Sequence, residues 1–597
     1  MKKLLLTGLE RFINDNENIY ALGPWCFLNH DMREKMWKES EFEPTFSDSD
    51  SLKLAADYAL EYSLHLIDFL SKEMNLLHGR NYSKQYWHTL LMPWVCTAVQ
   101  VFYERYIQLT RLINDDEKYE VELMPTTATP TFKDVREFKK FVITAEGNHY
   151  IYSLLLEKMN PVDWKLNYGN IHVDIEGSEL RNSYSSWFQK KKRHYKRVIS
   201  RNISLALGRV GGVFIEGVYG LSFFDELYLN ISSFFHGNSN RRHLSGKIKV
   251  NEELIDFDKL SNFSINIKAR NEFEKYFSDL LPKLMPVTYL SEYNLHDKRA
   301  VKFVNKISKR TNLFLLGPLL GGYDPMKFIV GLFRERGGVL AQTQHGANYG
   351  TAQSFPFMAS FEYLNSEIFL TWGWKNQSNY SVNAFPLPSP LLSKIRKHND
   401  VKNEILLVGT LVSLYSDRLA SNPQPQQCLE YRRGKIYFIN SLSTQIRKLL
   451  WYRPYYSEAG GLPERSFIKT NCPDVKIFEG TLEKKLEEAK CVVLDHPGTT
   501  LNVVIAMNKP LILYWNQEHW SMCEQARHVF TNLRNVGILH DDAKSAATFI
   551  NSIWEGIQEW WLSAEVQMAR KLFSDLYARS DVTWRKQWLN FLTNPAL

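Results

Sequence analysis

Short apolar runs alternate with helical patterns from about residue 310 onward. Leu313–Leu316 is a continuous apolar run that ends in a Gly-Pro pair, and Val339–Thr343 is a second such run. Between them a helix is predicted to begin at Asp324, a good N-cap, with Pro325 in its first turn, and to end at Gly337. Continuous apolar strands that alternate with helices are typical of a parallel sheet covered on both faces.

A second alternating region follows three prolines at positions 386, 388 and 390, which predict an interdomain linker. Its predicted elements are strands at 405–408, 491–494 and 511–514, a helix at 501–507, and a strand followed by a helix within 436–451. From residue 543 to residue 591 the pattern is helical again. The region therefore predicts a second parallel sheet followed by a helical tail.

The N-terminal part is predicted mainly as helix after one short strand at 19–22. Residues 52–74 and 86–112 carry apolar side chains at three- and four-residue spacing. We therefore predict an α/β fold of two doubly wound, Rossmann-like domains with a cleft between them. A helical N-terminal insertion and a helical C-terminal tail complete this GT-B architecture. The predicted domains are residues 1–385, 386–545 and 546–597.

Composition narrows the class of protein. The chain has 597 residues, of which 44% are hydrophobic and 23% charged, so it can bury a large core. A net charge of +8 over this length is far below that of a dedicated nucleic-acid binder. The six cysteines include no CxxC pair, which argues against a zinc site or a disulfide framework. No metal, cofactor or nucleic acid is expected.

Localisation is predicted from the apolar runs and one basic run. The run that begins at Leu4 ends by Glu10, too soon for an export signal, and no run is long enough to cross a bilayer. We therefore expect a soluble, cytoplasmic protein. Eight residues from Lys190 to Arg197 include six Lys or Arg, which is typical of a solvated face. The functional alternative is peripheral contact with the inner face of an anionic membrane.

The most informative motif follows the predicted strand 491–494. There, Asp495-His496-Pro497-Gly498-Thr499-Thr500 leads into a helix. Ligands bind at the carboxyl ends of parallel strands, and the free amides at a helix N-terminus suit a phosphate. His496 would add a hydrogen bond or a proton to that phosphate or leaving group. In the alternative interpretation, Thr499 only caps the helix and His496 packs in a loop.

A second motif, Gln344-His345-Gly346, follows the strand Val339–Thr343. We expect Gln344 and Gly346 to line an active site and His345 to be a catalytic base. Adjacent parallel strands end at the same edge of a sheet, which would bring Asp324 beside His345. Asp324 is therefore the predicted catalytic carboxylate, and helix capping is its alternative role.

Other candidates lie at strand ends and in aromatic segments. Gly409 and Thr410 end the first strand of the second region, where a nucleotide would lie. Arg453 is predicted to neutralise a phosphate, and a surface role is its alternative. Trp25 and His88 lie in aromatic segments that would either line an acceptor site or belong to the core.

These motifs together resemble a family of bacterial surface-polysaccharide transferases. The shared features are Leu-Gly-x-Trp-Cys at 22–26, Tyr-Trp-x-x-Leu-Leu-x-Pro-Trp at 86–94, Gln-His-Gly-x-x-Tyr-Gly at 344–350 and Lys-Pro at 509–510. The family is similar to retaining transferases of pseudaminic acid and other nonulosonic acids. It is more distantly similar to the retaining β-Kdo transferases of capsule assembly. The resemblance extends from about residue 19 to residue 515.

The resemblance implies a glycosyltransferase with a CMP-activated nonulosonic acid as donor, an oligosaccharide or lipid-linked glycan as acceptor, and retention of configuration. It places CMP on domain 386–545, with His496-Pro497 matching a His-Pro motif of CMP-sugar transferases, and the acceptor on domain 1–385. The β-Kdo enzymes carry a catalytic carboxylate in a Glu-Asp-Gly segment. This chain has Gln344-His345-Gly346 there, so Asp324 is a substitute candidate.

Two other functions remain open at this point. A CDP-alcohol glycerophosphate-type transferase of wall-polymer synthesis also places a His-Gly pair after a strand. A non-catalytic scaffold of a polysaccharide assembly complex would keep the fold without turnover. The nucleotide that is bound and consumed distinguishes the three.

Overall fold

The structure is a computed structural model. It describes residues 1–9, 18–27, 42–115, 117–126, 130–168, 202, 206, 212–235, 244–248, 267–311, 313–354, 359–375, 382–395, 400–419, 423–457 and 461–594. The basic run at 190–197 lies outside the described residues, so membrane contact through it stays a prediction. No helix within these ranges combines the length and the apolar composition needed to cross a bilayer.

Three parallel β-sheets organise a mixed α/β fold. The four-stranded sheet contains β1 (Lys2–Leu5), β2 (Ile19–Ala21), β3 (Tyr119–Leu123) and β4 (Lys165–Tyr168). The five-stranded sheet contains β5 (Phe214–Glu216), β6 (Leu313–Leu316), β7 (Val339–Thr343), β8 (Ile368–Thr371) and β9 (Ala384–Pro386). The six-stranded sheet contains β10 (Lys402–Val408), β11 (Leu450–Arg453), β12 (Lys476–Ile477), β13 (Ala489–Leu494), β14 (Leu511–Tyr514) and β15 (Leu539–His540).

Helices cover these sheets. In chain order they are α1 (Ser49–His78), α2 (Lys84–Asn114), α3 (Val135–Val142), α4 (Ala145–Met159), α5 (Phe223–Phe235), α6 (Glu272–Leu284), α7 (Tyr293–Val304), α8 (Asp324–Glu335), α9 (Ser360–Tyr363), α10 (Cys428–Ser441), α11 (Thr444–Arg447), α12 (Glu464–Asn471), α13 (Leu482–Glu488), α14 (Thr499–Met507), α15 (Glu524–Asn535), α16 (Ala543–Ile553), α17 (Ile557–Leu562), α18 (Ala564–Tyr577) and α19 (Trp584–Thr593). Together, the helices therefore contain many more residues than the short strands.

The four-stranded sheet was not expected from the sequence. The apolar run that resembles a signal peptide forms β1, which pairs in parallel with both β2 and β3. Helices α1 and α2 pack on each other and bury the faces predicted from their apolar spacing. The prediction of two sheets was therefore incomplete, because β2 and β3 are separated by the two long helices and do not show the close strand–helix alternation of the other sheets.

The six-stranded sheet has the strand order β12-β11-β10-β13-β14-β15. In order of appearance this is 3-2-1-4-5-6, the order of a Rossmann fold. The chain changes direction across the sheet between β10 and β13, whose ends lie side by side with Val408 opposite Leu494. Ligands of such sheets bind outside the carboxyl ends of the strands at this position. The fold thus selects the loops after β10 and β13 as a binding region.

One predicted element in this sheet was wrong. Residues 436–451 do not contain a strand followed by a helix, because α10 extends to Ser441 and β11 begins only at Leu450. The apolar segment at 436–439 contains β-forming residues, but it is amphipathic in place: Phe438 and Ile439 are buried while Tyr437 is exposed. Packing of one helical face therefore overrides local strand preference.

The last helix returns the chain to the five-stranded sheet. Helix α18 packs against α14 and α15 of the six-stranded sheet, whereas α19 packs against α5. Trp584, Trp588 and Phe591 of α19 join the apolar cluster that covers one face of the five-stranded sheet. The indole N–H of Trp588 donates to the Pro388 carbonyl at 2.9 Å. The C-terminal helices therefore connect the two larger sheets.

Removal of the Trp588 side chain tests this connection. Trp588→Ala leaves a large cavity and an unpaired carbonyl, so the free energy of unfolding should fall by about 3–5 kcal/mol. Urea titration followed by circular dichroism measures the change. Lys586→Ala on the exposed side of the same helix should change it by less than about 0.5 kcal/mol. Equal effects of the two substitutions would contradict the assignment.

Candidate active site

A cavity of about 520 Å³ lies between loops of the five-stranded and six-stranded sheets. The loop after β7 contributes His345 and its neighbours, while the loops after β10 and β13 contribute Thr410 and His496. Helix α2 and helix α3 close another side with Gln100 and Lys139. The carboxyl ends of strands from two different parallel sheets therefore open into one polar cavity.

The loop after β13 presents an oriented histidine. Asp495 is buried at the end of the strand, and its Oδ1 accepts a hydrogen bond from His496 Nδ1 at 2.8 Å. A carboxylate only accepts, so the proton lies on Nδ1 and the lone pair on Nε2. The His496 ring lies where a side chain on residue 498 would be, since a Cβ on Gly498 would be only 2.6 Å from Nε2. Gly498 therefore leaves room for this ring orientation.

Side chains of helix α10 contact Asp495 and hold the loop after β13 in place. The other oxygen of Asp495 accepts a hydrogen bond from the Tyr431 hydroxyl at 2.8 Å, and that hydroxyl accepts one from the Thr410 backbone N–H at 3.1 Å. Lys435 lies 3.8 Å from the same carboxylate and pairs with buried Glu464. Buried polar groups that satisfy one another in this way fix their positions. The loops after β10 and β13 are thereby held in register.

The N-terminus of α14 faces the cavity. Its N-cap is Gly498, whose lack of a side chain leaves the first amides of the helix without a side-chain cap. The Thr499 hydroxyl instead accepts a hydrogen bond from the backbone N–H of Ala347 at 3.1 Å, across the cavity. A Cβ on Gly346 would come within 3.1 Å of that hydroxyl. The glycine thus permits the close approach of the two loops.

A histidine, a tyrosine and a buried carboxyl group form the opposite side of the cavity. His345 Nδ1 lies 2.8 Å from the Tyr349 hydroxyl, which donates to Glu362 Oε2. Glu362 Oε1 lies 3.6 Å from His345 Nδ1. Tyr349 has only one hydroxyl proton, so with Glu362 ionised it accepts from Nδ1–H and leaves Nε2 of His345 basic. The side chain of His345 is 36% exposed and that of Glu362 only 2%.

Burial shifts the protonation of both end groups. It lowers the pKa of His345 to about 4, with a smaller contribution from the Arg418 charge. It raises the pKa of the Glu362 carboxyl to about 7, against the Tyr349 hydrogen bond and the Lys139 charge. At neutral pH His345 is therefore uncharged, and Glu362 changes its charge within the physiological range. A carboxyl group with such a pKa in a cavity is typical of proton transfer sites.

Two cations line the same cavity. Lys139 belongs to α3, and Arg418 lies in the loop after β10 beside Asp417. Burial lowers the pKa of Lys139, and the nearby charge of Asp417 opposes that shift. Cationic side chains beside a helix N-terminus make this cavity suited to an anionic ligand.

A protein family accounts for the whole chain. The family model described as LIC12162 family transferase matches residues 2–592. The chain belongs to the LIC12162 transferase family. Membership identifies it as a transferase and hence as an enzyme. No match was found among curated proteins.

The cavity of this LIC12162 family transferase brings together most of the predicted motif residues. His345 and Gly346 line it on one side, and Thr410, His496, Pro497, Gly498 and Thr499 line it on the other. Gln344 lies behind the loop, where its Oε1 accepts from Trp372 N and Trp374 Nε1 and its Nε2 donates to the Gly346 carbonyl. Gln344 therefore holds the loop after β7 against the end of β8.

Asp324 is not among the residues that line the cavity. Its carboxylate pairs with Lys327 and accepts from the Tyr289 hydroxyl at 3.0 Å and from Val135 N at 3.2 Å. Burial alone would raise the pKa of Asp324, but the Lys327 ammonium holds it below its usual value. The structure thus shows Asp324 in a buried ion pair, and its catalytic role stays a prediction.

Five other predicted residues also lie outside the cavity lining. Trp25 is buried in an apolar cluster and donates from its indole to the Leu6 carbonyl, and His88 bonds to Asp68. Arg453 is buried at the end of β11 and donates to the Pro454 carbonyl. Thr500 is the second residue of α14. Gly409 lies just before Thr410, where a Cβ would come within 2.5 Å of the Tyr452 hydroxyl.

Sequence reasoning missed Glu362, Tyr349, Lys139 and Arg418. One signal was present for Glu362, which is the only Asp, Glu, Lys or Arg between His345 and Ser366. A lone acid in an apolar segment is either exposed or buried with a partner. Lys139 and Arg418 lie among other charged residues, so their sequence surroundings do not distinguish them from solvated side chains.

The shifted pKa of Glu362 predicts a pH-dependent stability. The pKa rises from its ordinary value of 4.5 to about 7 on folding, so the folded chain binds the proton more tightly. This contribution is complete below pH 4.5 and is lost as the pH rises to 7. Relative to Glu362→Gln, the wild type should lose about 3 kcal/mol across that window, since one pKa unit is about 1.4 kcal/mol.

Urea titrations of both proteins between pH 4.5 and pH 8 measure this difference. Glu518→Gln, at an exposed position, is the matched control and should follow the wild type at every pH. Parallel stability curves for the wild type and Glu362→Gln would contradict the shifted pKa.

Proposed function

We propose that this transferase is a GT-B glycosyltransferase that moves a nonulosonic acid from a CMP-activated donor to a glycan acceptor with retention of configuration. The observation that carries the proposal is the His496–Thr499 turn, which lies at the change of strand direction of a Rossmann-ordered sheet and lines the cavity. The His345–Tyr349–Glu362 network faces that turn across the same cavity. The sequence resemblance supplies the identity of the donor.

The donor phosphate is proposed to lie at the N-terminus of α14. The amides there have no side-chain cap, and the positive end of the helix dipole favours an anion. His496 Nε2 then faces the phosphate or the oxygen that leaves with it, because Nδ1 is hydrogen-bonded to Asp495. A protonated His496 would stabilise the negative charge that develops as CMP departs.

The two cations fit a donor with two anionic groups. A CMP-activated nonulosonic acid carries a phosphate and a sugar carboxylate. We place the carboxylate toward Lys139 and Arg418, since both line the cavity and neither belongs to the α14 turn. Charge-assisted hydrogen bonds of this kind both orient and retain a carboxylate.

His345 is proposed as the base that takes the proton from the acceptor hydroxyl. It is neutral at pH 7, its Nε2 carries the lone pair that accepts a proton, and its side chain is partly open to the cavity. Glu362 lies behind it and, once ionised, stabilises the imidazolium that forms. The Glu362 carboxyl group is too deeply buried for us to assign it as a nucleophile. Retention of configuration requires that the protein shield one face of the oxocarbenium-like sugar. The acceptor hydroxyl then attacks from the same face from which CMP departs.

Nucleotide binding tests the donor site. The wild type should bind CMP in isothermal titration calorimetry, and His496→Ala should weaken binding by about 1–3 kcal/mol, the loss expected for a hydrogen bond to a charged group. His528→Ala, on the exposed face of α15, is the control and should bind as the wild type does. Turnover of a CDP-alcohol would favour the wall-polymer transferase, and no turnover of any nucleotide donor would favour the scaffold.

Transfer kinetics test the acid–base network. Glu362→Gln should keep CMP affinity but lower kcat by a factor of about 10²–10⁴, the usual contribution of general acid–base catalysis. Wild-type kcat should rise with pH through about 7, where Glu362 ionises, and the variant should lack this rise. Proton NMR of the product should show retention. Inversion would refute the stereochemical part, and a normal kcat in Glu362→Gln would refute the network.

A further inference from the structure

A group of tyrosines lies at the edge of the cavity and has no part in the chemistry described above. Tyr455 lines the cavity just after β11. The next residue, Tyr456, is 64% exposed, and the centroids of the two rings are 4.4 Å apart at an interplanar angle of 36°. Adjacent aromatic side chains that pack on each other while one stays in solvent leave a ring face open to a ligand.

The chemistry of this group suits a carbohydrate. A pyranose ring has a face of C–H groups that packs on an aromatic ring, while its hydroxyls remain available for hydrogen bonds. Tyrosine offers both an apolar face and a polar hydroxyl, and it holds its position with few rotatable bonds. Arg418 lines the same cavity as Tyr455 and offers guanidinium N–H donors to the hydroxyls of a sugar.

We infer that Tyr455 and Tyr456 form the acceptor subsite, in which a neutral sugar ring of the acceptor glycan stacks on the exposed tyrosine face. The inference rests on the proposed function, because it requires a glycan acceptor. It adds two side chains of domain 386–545 that contact the acceptor across the cavity from domain 1–385, where the resemblance places the acceptor.

Position favours the acceptor over the nucleobase of the donor. The proposed phosphate site is enclosed, since His496 is buried at the turn before α14. Tyr456, in contrast, is 64% exposed beside Tyr455, which lines the cavity. A growing glycan extends into solvent during transfer, so its binding site has to be continuous with the surface.

The experiment measures binding of defined sugars without turnover. The probes are the methyl glycosides of glucose, galactose, N-acetylglucosamine and N-acetylgalactosamine, observed by saturation-transfer NMR with and without CMP. At least one glycoside should bind the wild type through its ring C–H protons. Tyr456→Ala and Tyr455→Phe/Tyr456→Ala should weaken that binding about tenfold, the effect of losing an aromatic stacking partner. CMP affinity should be unchanged.

Tyr437→Ala is the matched control, because Tyr437 is also exposed but lies on α10 and does not line the cavity. It should bind the glycosides as the wild type does. Failure of every glycoside to bind the wild type, wild-type binding by the tyrosine variants, or a loss of CMP affinity instead would each overturn the acceptor assignment. Failure of the proposed donor appears separately, as wild-type protein that does not bind CMP.

Discussion

The cavity between the two larger sheets depends on the close approach of two loops, each of which follows a strand of a different parallel sheet. The backbone N–H of Ala347, after β7, donates to the hydroxyl of Thr499, the first residue of α14. All neighbouring strands in a parallel sheet end at one edge, so each sheet offers its loops on one side only. When two such edges face each other, the loops of both sheets line one small cavity. Gly346 is the residue that permits this approach.

The polar groups around the cavity differ in how fully the protein satisfies them. Asp495 is bonded to His496 and Tyr431, and Glu464 pairs with Arg432 and Lys435 beneath it. Such a network has little freedom to move, so it fixes the position of the His496 ring. Glu362 has fewer compensating contacts, and burial therefore raises its pKa to about 7. Burial with many partners fixes the Asp495 side of the cavity. Burial with few partners leaves Glu362, on the other side, able to gain or lose a proton near pH 7.

The buried pair of Asp324 and Lys327 shows how a carboxylate that is fully paired differs from Glu362, which lines the cavity. Both side chains are buried, and the ammonium contacts the carboxylate within one turn of α8. Tyr289 and the first amide of α3 use the remaining acceptor capacity of the carboxylate. A carboxylate occupied in this way holds helices together, whereas Glu362 shares the cavity with His345 and Lys139.

The sequence by itself determined the strands at 313–316, 339–343, 405–408, 491–494 and 511–514 and the position of the two motifs, 344–346 and 495–499, directly after two of them. It did so because continuous apolar runs and turn residues are local signals. It did not determine β1 as a sheet strand, since β1 pairs with β3 from a distant part of the chain. The tertiary structure alone decided that Asp324 pairs with Lys327 and that Glu362, Lys139 and Arg418 reach the cavity. Burial and charge pairing depend on which distant segments meet, and one sequence does not contain that information in any local pattern.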